Sequence, residues 1–460
     1  LYRKGIGGVS MGFPAGFVWG VASSAYQIEG AAYEDGKGET VWDRFSRRPG
    51  AVHDGHTGDV ACDHYHRYAE DFRLMAELGI RHHRFSVCWP RLLPEGTGRL
   101  NEAGLDHYDR LIDAMLENGI TPWLTLFHWE YPMALQQRGA WENPDSPKWF
   151  AEYARAVAAR YADRVGHFFT LNEPQCFIGL GYVTGEHAPG LKLPVDATIP
   201  MAHNALIAHG LAVQALRAES PRAKIGYAPC SSPICPATDA EADVEAARGA
   251  YFSTPADRGF FSTAWWSDPA LLGRYPEDGL KLYGQYLPAL FERDLATICQ
   301  RLDYYGQNIY SGSFVKAGPS GPEPVKLPVG TAKTGMNWPV TPECLYWGPK
   351  FLSERYGVPV IITENGMADL DAVSRDGKVH DPARQNYLSR YIEQFRRAAD
   401  DGVPVAGYFC WSFLDNFEWA MGYRDRFGLV YVNYETQRRI PKDSAYWYQG
   451  VIESNGAVLF

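Results

Sequence analysis

The chain has no run approaching the roughly 20 apolar residues of a membrane-spanning helix. It also has no block of like charges, no internal repeat and no low-complexity tract. Those absences argue against a membrane span, a repeat array or a disordered segment. Basic residues are in deficit, 44 Lys plus Arg against 54 Asp plus Glu for a net charge of −10, which disfavours nucleic acid or an anionic membrane as partner. Cysteine is sparse, eight residues between Cys62 and Cys410 with no CxxC pair. Buried thiols in a reducing compartment are expected, with a bridge between the neighbouring Cys230 and Cys235 left open. HExxH, P-loop and strand-to-helix GxGxxG patterns are missing, so no metal and no organic cofactor is implied. Residues 1–10 lack the apolar stretch of a secretory leader, and a cytoplasmic location is expected. The chain opens on Leu1 rather than Met, so its native start stays open.

Aromatics are plentiful. With 14 Trp, 28 Tyr and 22 Phe they reach 14% of the chain, enough to fill a core and also to stack on the apolar faces of sugar rings. Hydrophobic residues at 46% and charged residues at 21% are ordinary for a folded protein with a large core.

Short apolar runs alternate with longer stretches of helical period, the pattern of βα units around a parallel sheet. Eight strand candidates start near Phe17 (FVWGVA), Arg81 (RHHRFSV), Thr121 (TPWLTLF), His167 (HFFTLN), Lys224 (KIGYAP), Asp303 (DYYGQNI), Val358 (VPVIITE) and Val405 (VAGYFCW). Helix candidates cover 65–78, 104–117, 147–161, 202–218 and 382–399, several followed by a helix-closing glycine such as Gly79 or Gly119. The predicted fold is an α/β single-domain (β/α)8 TIM barrel with extended βα loops, spanning 13–460 after an N-terminal tail, 1–12. The gap between Pro229 and Asp303 is too long for one βα unit and reads as an insertion with extra helices.

In such a barrel the reacting groups sit where strands end. The ends here carry Gln27, Arg84, His128 with Trp129, Asn172 with Glu173, Asn308 with Tyr310, Glu364 and Trp411. Glu173 and Glu364 each follow an apolar strand and each has an amide neighbour, Asn172 or Asn365. Two carboxyl groups about 5 to 5.5 Å apart are what glycoside cleavage through a covalent intermediate requires. A strand-ending Glu taken singly is more often a solvated loop charge, and the flanking residues are needed to separate the two readings.

Those residues do separate them. Glu173 lies in TLNEP and Glu364 in ITENG, and both segments resemble the two signatures of glycoside hydrolase family 1. FPAGFVWGVASSAYQIEGA, TGDVACDHYHRY, RFSVCWPR, HWEYP, HAPG, WSFLDNFEWAMGY and RFGLVYVNYETQRR resemble family segments in the family's order, from Phe13 to about Trp447. The resemblance implies a (β/α)8 enzyme that hydrolyses β-glucosides and related β-glycosides with retention. Glu173 would be the acid/base and Glu364 the nucleophile. Arg84, Asn172, Asn308 and Tyr310 would support that pair. Gln27, His128, Trp129, Glu418, Trp411 and Trp419 would bind the sugar, and Trp338 would stack at the aglycone side. The EW pair of DNFEW, Glu418 with Trp419, is not the pattern of relatives acting on 6-phosphorylated sugars. Glu173 stands where plant-type thioglucosidases have Gln.

Departures from the pattern are Glu130 and Tyr131 in HWEYP, Gln175 after NEP, His83 before RFS, and Asn337 and Cys344 around Trp338. The implied partner is a small-molecule β-glycoside or short oligosaccharide. Hydrolysis against transglycosylation, a silent sugar-binding barrel, and self-association into a homo-oligomer stay open at this point. A silent barrel would be expected to have lost one glutamate, and both are present.

Overall fold

A computed structural model of the protein describes residues 12–257 and 259–460. Eight parallel strands close into a barrel. They are β1 (Val18–Ala22), β2 (His82–Ser86), β3 (Thr121–Phe127), β4 (His167–Asn172), β5 (Lys224–Ala228), β6 (Tyr304–Asn308), β7 (Val360–Asn365) and β8 (Val405–Trp411). Each falls on an expected apolar run, and β1 closes the ring by pairing with both β2 and β8. Such runs are continuous rather than alternating because both faces of the sheet are covered: one packs into the barrel, the other against helices. The predicted (β/α)8 architecture is the observed one. The predicted tail, 1–12, lies almost wholly outside the described residues.

Barrel packing begins at the base, where Trp123 of β3 stacks on His167 of β4 at 3.7 Å. Above them Phe169, Ile361 and Phe409 fill the interior, and Trp411 tops the column. Gly226 on β5 is required here, since a Cβ would meet the Phe169 ring at 2.5 Å.

Outside the barrel run the helices His64–Glu77, Glu102–Glu117, Ser146–Tyr161, Val195–Glu219, Cys344–Tyr356, Pro382–Asp400 and Asp443–Glu453. Among the described residues, the expected insertion between β5 and β6 holds the α-helices Glu241–Phe252, Thr263–Leu272, Glu277–Tyr283 and Phe291–Ile298. One expectation needs correction: the helix predicted over 202–218 starts at Val195. Pro200 reads in sequence as a helix breaker, but it lies early in the helix and is only half-buried, so the loss of one amide donor is tolerated.

Segments on either side of β8 are fastened together by buried ion pairs. Lys442 bonds Asp371 and Asp415 at 2.5 and 2.7 Å. Arg384 pairs with Asp371 and Asp381, and Arg426 with Asp415. Among the described residues, no helix is long and apolar enough to cross a membrane.

Candidate active site

At the carboxyl ends of the strands opens a cleft of about 700 Å³. Glu173 follows β4 directly, and its φ of +46° turns the chain into the short helix Pro174–Ile178. Its amide donates to the Ala228 carbonyl at the end of β5 at 2.9 Å. Glu364 is still within β7, fixed by the pairing of that strand with Asn308 of β6. Both line the cleft, and both are more than nine-tenths buried. A left-handed φ is uncommon outside glycine, and here it recurs at Trp129 (+84°) and Trp419 (+47°), also on the cleft wall.

One network ties the two carboxyls. Arg84 on β2 donates to Glu364 Oε1 at 2.7 Å and to Asn172 Oδ1 at 2.5 Å. Asn308 Nδ2 donates to the same Asn172 oxygen at 3.0 Å and to Glu173 Oε1 at 2.6 Å. The Thr363 hydroxyl donates to Asn308 Oδ1 at 2.7 Å, which fixes the amide the right way round. Tyr310 completes the set by donating its hydroxyl to Glu364 Oε2 at 2.8 Å. Arg84, Asn172, Asn308 and Tyr310 thus all converge where the sequence places them.

The network treats its two acids differently. Burial, and then the negative charge of Glu364, push Glu173 up to about 7, with Asn308 and the Cys176 thiol only partly opposing the rise. Burial also raises Glu364, but the Arg84 charge, hydrogen bonds from Arg84 and the Tyr310 hydroxyl pull it back. Arg84 therefore favours the charged form at Glu364, while burial favours the protonated form at Glu173.

His128 is fully enclosed, and burial followed by the Arg84 charge holds it well below its usual range, so the ring is neutral. Its Nε2 lies 3.1 Å from Asn172 Nδ2, which has protons to give. The proton must then sit on Nδ1, an atom with no protein partner among the described residues. Trp411 stacks over this ring at 5.7 Å. Trp129 donates its indole N–H to the Asn172 carbonyl at 2.9 Å and packs against Trp419 at 4.5 Å. Glu418 faces the same end of the cleft, raised well above the usual range by burial and then by Glu364, Asp425 and Glu173. Gln27 lies just behind, fully buried, with Nε2 3.5 Å from Glu418 Oε2 and 3.0 Å from Asn416 Oδ1. Trp338 stands at the far wall against Tyr310, 5.2 Å away. Asn337 before it has a φ of +62°, which asparagine tolerates better than most residues.

The departures fall outside the cleft lining. Glu130 and Tyr131 are buried behind it; burial and then Glu29 push Glu130 well up. His83 lies 2.8 Å from the Ser23 hydroxyl, and Gln175 donates to the Cys230 carbonyl. Sequence reasoning gave no role to the cleft residues His187, Met336 and Phe427, although His187 lies in HAPG and Phe427 in RFGLVYVNYETQRR. It also missed that Cys230 approaches Cys176, with sulfurs 3.9 Å apart; Cys235 is instead buried as a free thiol.

The chain resembles known proteins along almost all of its length. The model of glycosyl hydrolase family 1 matches residues 9–457. A 1,4-beta-D-glucan glucohydrolase of Thermotoga neapolitana is 46% identical over 96% of this chain and 99% of its own. Beta-glucosidase A of Acetivibrio thermocellus matches with the same identity and coverage. Among solved structures, a beta-glucosidase from Thermotoga maritima in complex with glucoimidazole superposes with a TM-score of 0.89 at 45% identity, covering 97% of this chain and 99% of that one. A match of this extent in both sequence and fold means that the chain belongs to glycosyl hydrolase family 1 and is a glycoside hydrolase.

Proposed function

We propose that the protein is a retaining β-glucosidase that releases terminal β-D-glucosyl residues through a covalent glycosyl-enzyme intermediate. The observation that carries this reading is a pair of buried carboxyls in unlike surroundings, Glu364 ion-paired to Arg84 at 2.7 Å and Glu173 hydrogen-bonded by Asn308 at 2.6 Å, with burial raising Glu173. Glu364 attacks the anomeric carbon as Glu173 protonates the departing oxygen. Formation of the ester removes the charge of Glu364, which is the second cause raising Glu173. Glu173 then becomes the stronger acid it must be to ionise and take a proton from the incoming water.

Sugar binding follows from the remaining groups. The His128 Nδ1–H is free to donate to a hydroxyl, Glu418, held from behind by Gln27, binds hydroxyls through its two oxygens, and the indole faces of Trp411 and Trp419 support the ring's C–H surface. Glu364, Asp425 and Glu173 all act on Glu418, and the negative charge gathered around it opposes a phosphorylated sugar. β-Galactosides and β-fucosides are side substrates in this reading, and an acceptor sugar in place of water gives transglycosylation from the same intermediate.

Two measurements test it. Following an aryl β-glucoside by ¹H NMR gives the β-anomer of glucose first, and α-glucose first would overturn retention. Across aryl glucosides, galactosides, fucosides and 6-phosphoglucosides, the glucoside turns over best; preference for the phosphorylated sugar would overturn the role of Glu418.

A further inference from the structure

Beside Glu173 the cleft holds two thiols that take no part in the bond-making and bond-breaking steps of glycoside cleavage. Cys176 on the helix Pro174–Ile178 and Cys230, just past the end of β5, both line the cleft with their sulfurs 3.9 Å apart. A carboxylate oxygen of Glu173 and the two sulfurs all lie within 4.8 Å of one another. The Cys176 thiol hydrogen-bonds that carboxyl.

Distance chooses between two chemistries for the pair. A disulfide needs sulfurs about 2.05 Å apart, which would nearly halve the observed gap. A tetrahedral zinc ion with Zn–S bonds of about 2.3 Å holds two sulfurs about 3.8 Å apart, the edge of that tetrahedron. The 3.9 Å found here already matches the second spacing. Two thiolates suit soft divalent cations, and a carboxylate as third ligand leaves a fourth position open to the cleft.

We infer that Cys176, Cys230 and Glu173 form a binding site for one soft divalent cation, Zn²⁺ or Cd²⁺ in chemical class. Two thiol protons and the proton of Glu173 pass to solvent as two metal–sulfur bonds and one metal–oxygen bond form, and no oxidant is needed. The functional consequence rests on the proposed role of Glu173: a carboxylate oxygen bound to the metal no longer holds the proton for the leaving group, so hydrolysis stops.

The test titrates reduced, chelator-washed enzyme with Cd²⁺, reading the ultraviolet thiolate-to-cadmium charge-transfer band and aryl β-glucoside hydrolysis in parallel. Expected are saturation at one ion per chain, loss of hydrolysis and recovery on adding chelator. In Cys230→Ser and in Cys176→Ser, affinity falls by at least about 10- to 100-fold, the scale commanded even by partners that only orient a ligand. Inhibition, scored against each variant's own metal-free rate, falls with it, so either variant decides the matter if the other fails to fold. No band in the unmodified enzyme, unchanged affinity in the serine variants, or inhibition reversed by reductant but not by chelator would overturn the site. A band with undiminished hydrolysis would uphold the cation site and count instead against Glu173 as the acid/base.

Discussion

Replacing Asn308 with Ala should raise the alkaline limb of the pH–rate profile, an outcome opposite to simple damage. Asn308 Nδ2 donates to Glu173 Oε1 at 2.6 Å and so favours the ionised form. A hydrogen bond to a charged group contributes about 1.5 to 3 kcal/mol, and about 1.4 kcal/mol corresponds to one pKa unit. Without the bond the Glu173 pKa climbs from about 7. Glycosylation needs Glu173 protonated, so kcat/KM falls as pH rises through that pKa. In Asn308→Ala the fall is therefore delayed by about one to two pH units. The plateau drops as well, because Asn172 loses one of the two donors to its Oδ1. The assay is kcat/KM for an aryl β-glucoside across the pH range, with wild type and variant in the same buffers. An alkaline limb that stays in place or moves toward acid would refute the assignment of that limb to Glu173.

Other expectations follow from the same geometry. Glu173→Ala should lose rate severely on glucosides with poor leaving groups and far less on activated aryl glucosides; equal losses on both would argue against its role as acid. Glu173→Gln removes a carboxyl whose folded pKa, about 7, lies above its unfolded value of about 4.3. Folded wild type holds a proton there that the unfolded chain has already lost, so its stability falls as pH rises between those values. Relative to wild type, the variant gains up to about 4 kcal/mol at pH 8 and almost nothing at pH 4 in denaturant titrations. Lys442→Met leaves Asp415 and Asp371 without a buried cation that bonds both. It should cost about 3 to 5 kcal/mol of unfolding free energy, measured by the same titrations.

The barrel was legible because each strand is a short apolar run set by burial on both faces, and β2, β4, β6 and β7 end in a polar residue, Ser86, Asn172, Asn308 and Asn365, where one end opens into the cleft. The insertion before β6 showed itself by length alone. Helix bounds were less legible where a local rule met tertiary packing, as at Pro200. Convergence of Arg84, Asn172, Asn308, Tyr310 and the two glutamates was anticipated through motifs at strand ends, since strand order in a closed barrel makes those ends neighbours. The Cys176–Cys230 contact escaped because spacing along the chain pointed to Cys235. The true signal was positional: Asn172 and Ala228 end adjacent strands, and the two cysteines lie a few residues beyond them.

The measurement that bears most directly on the account is the rescue of Glu364→Ala by azide. With the attacking carboxylate gone, an aryl β-glucoside should turn over negligibly until azide enters the vacated space and attacks from the same side. The product is then α-glucosyl azide. Full activity without azide, or rescue that yields β-glucosyl azide, would contradict the role given to Glu364 and with it the covalent mechanism.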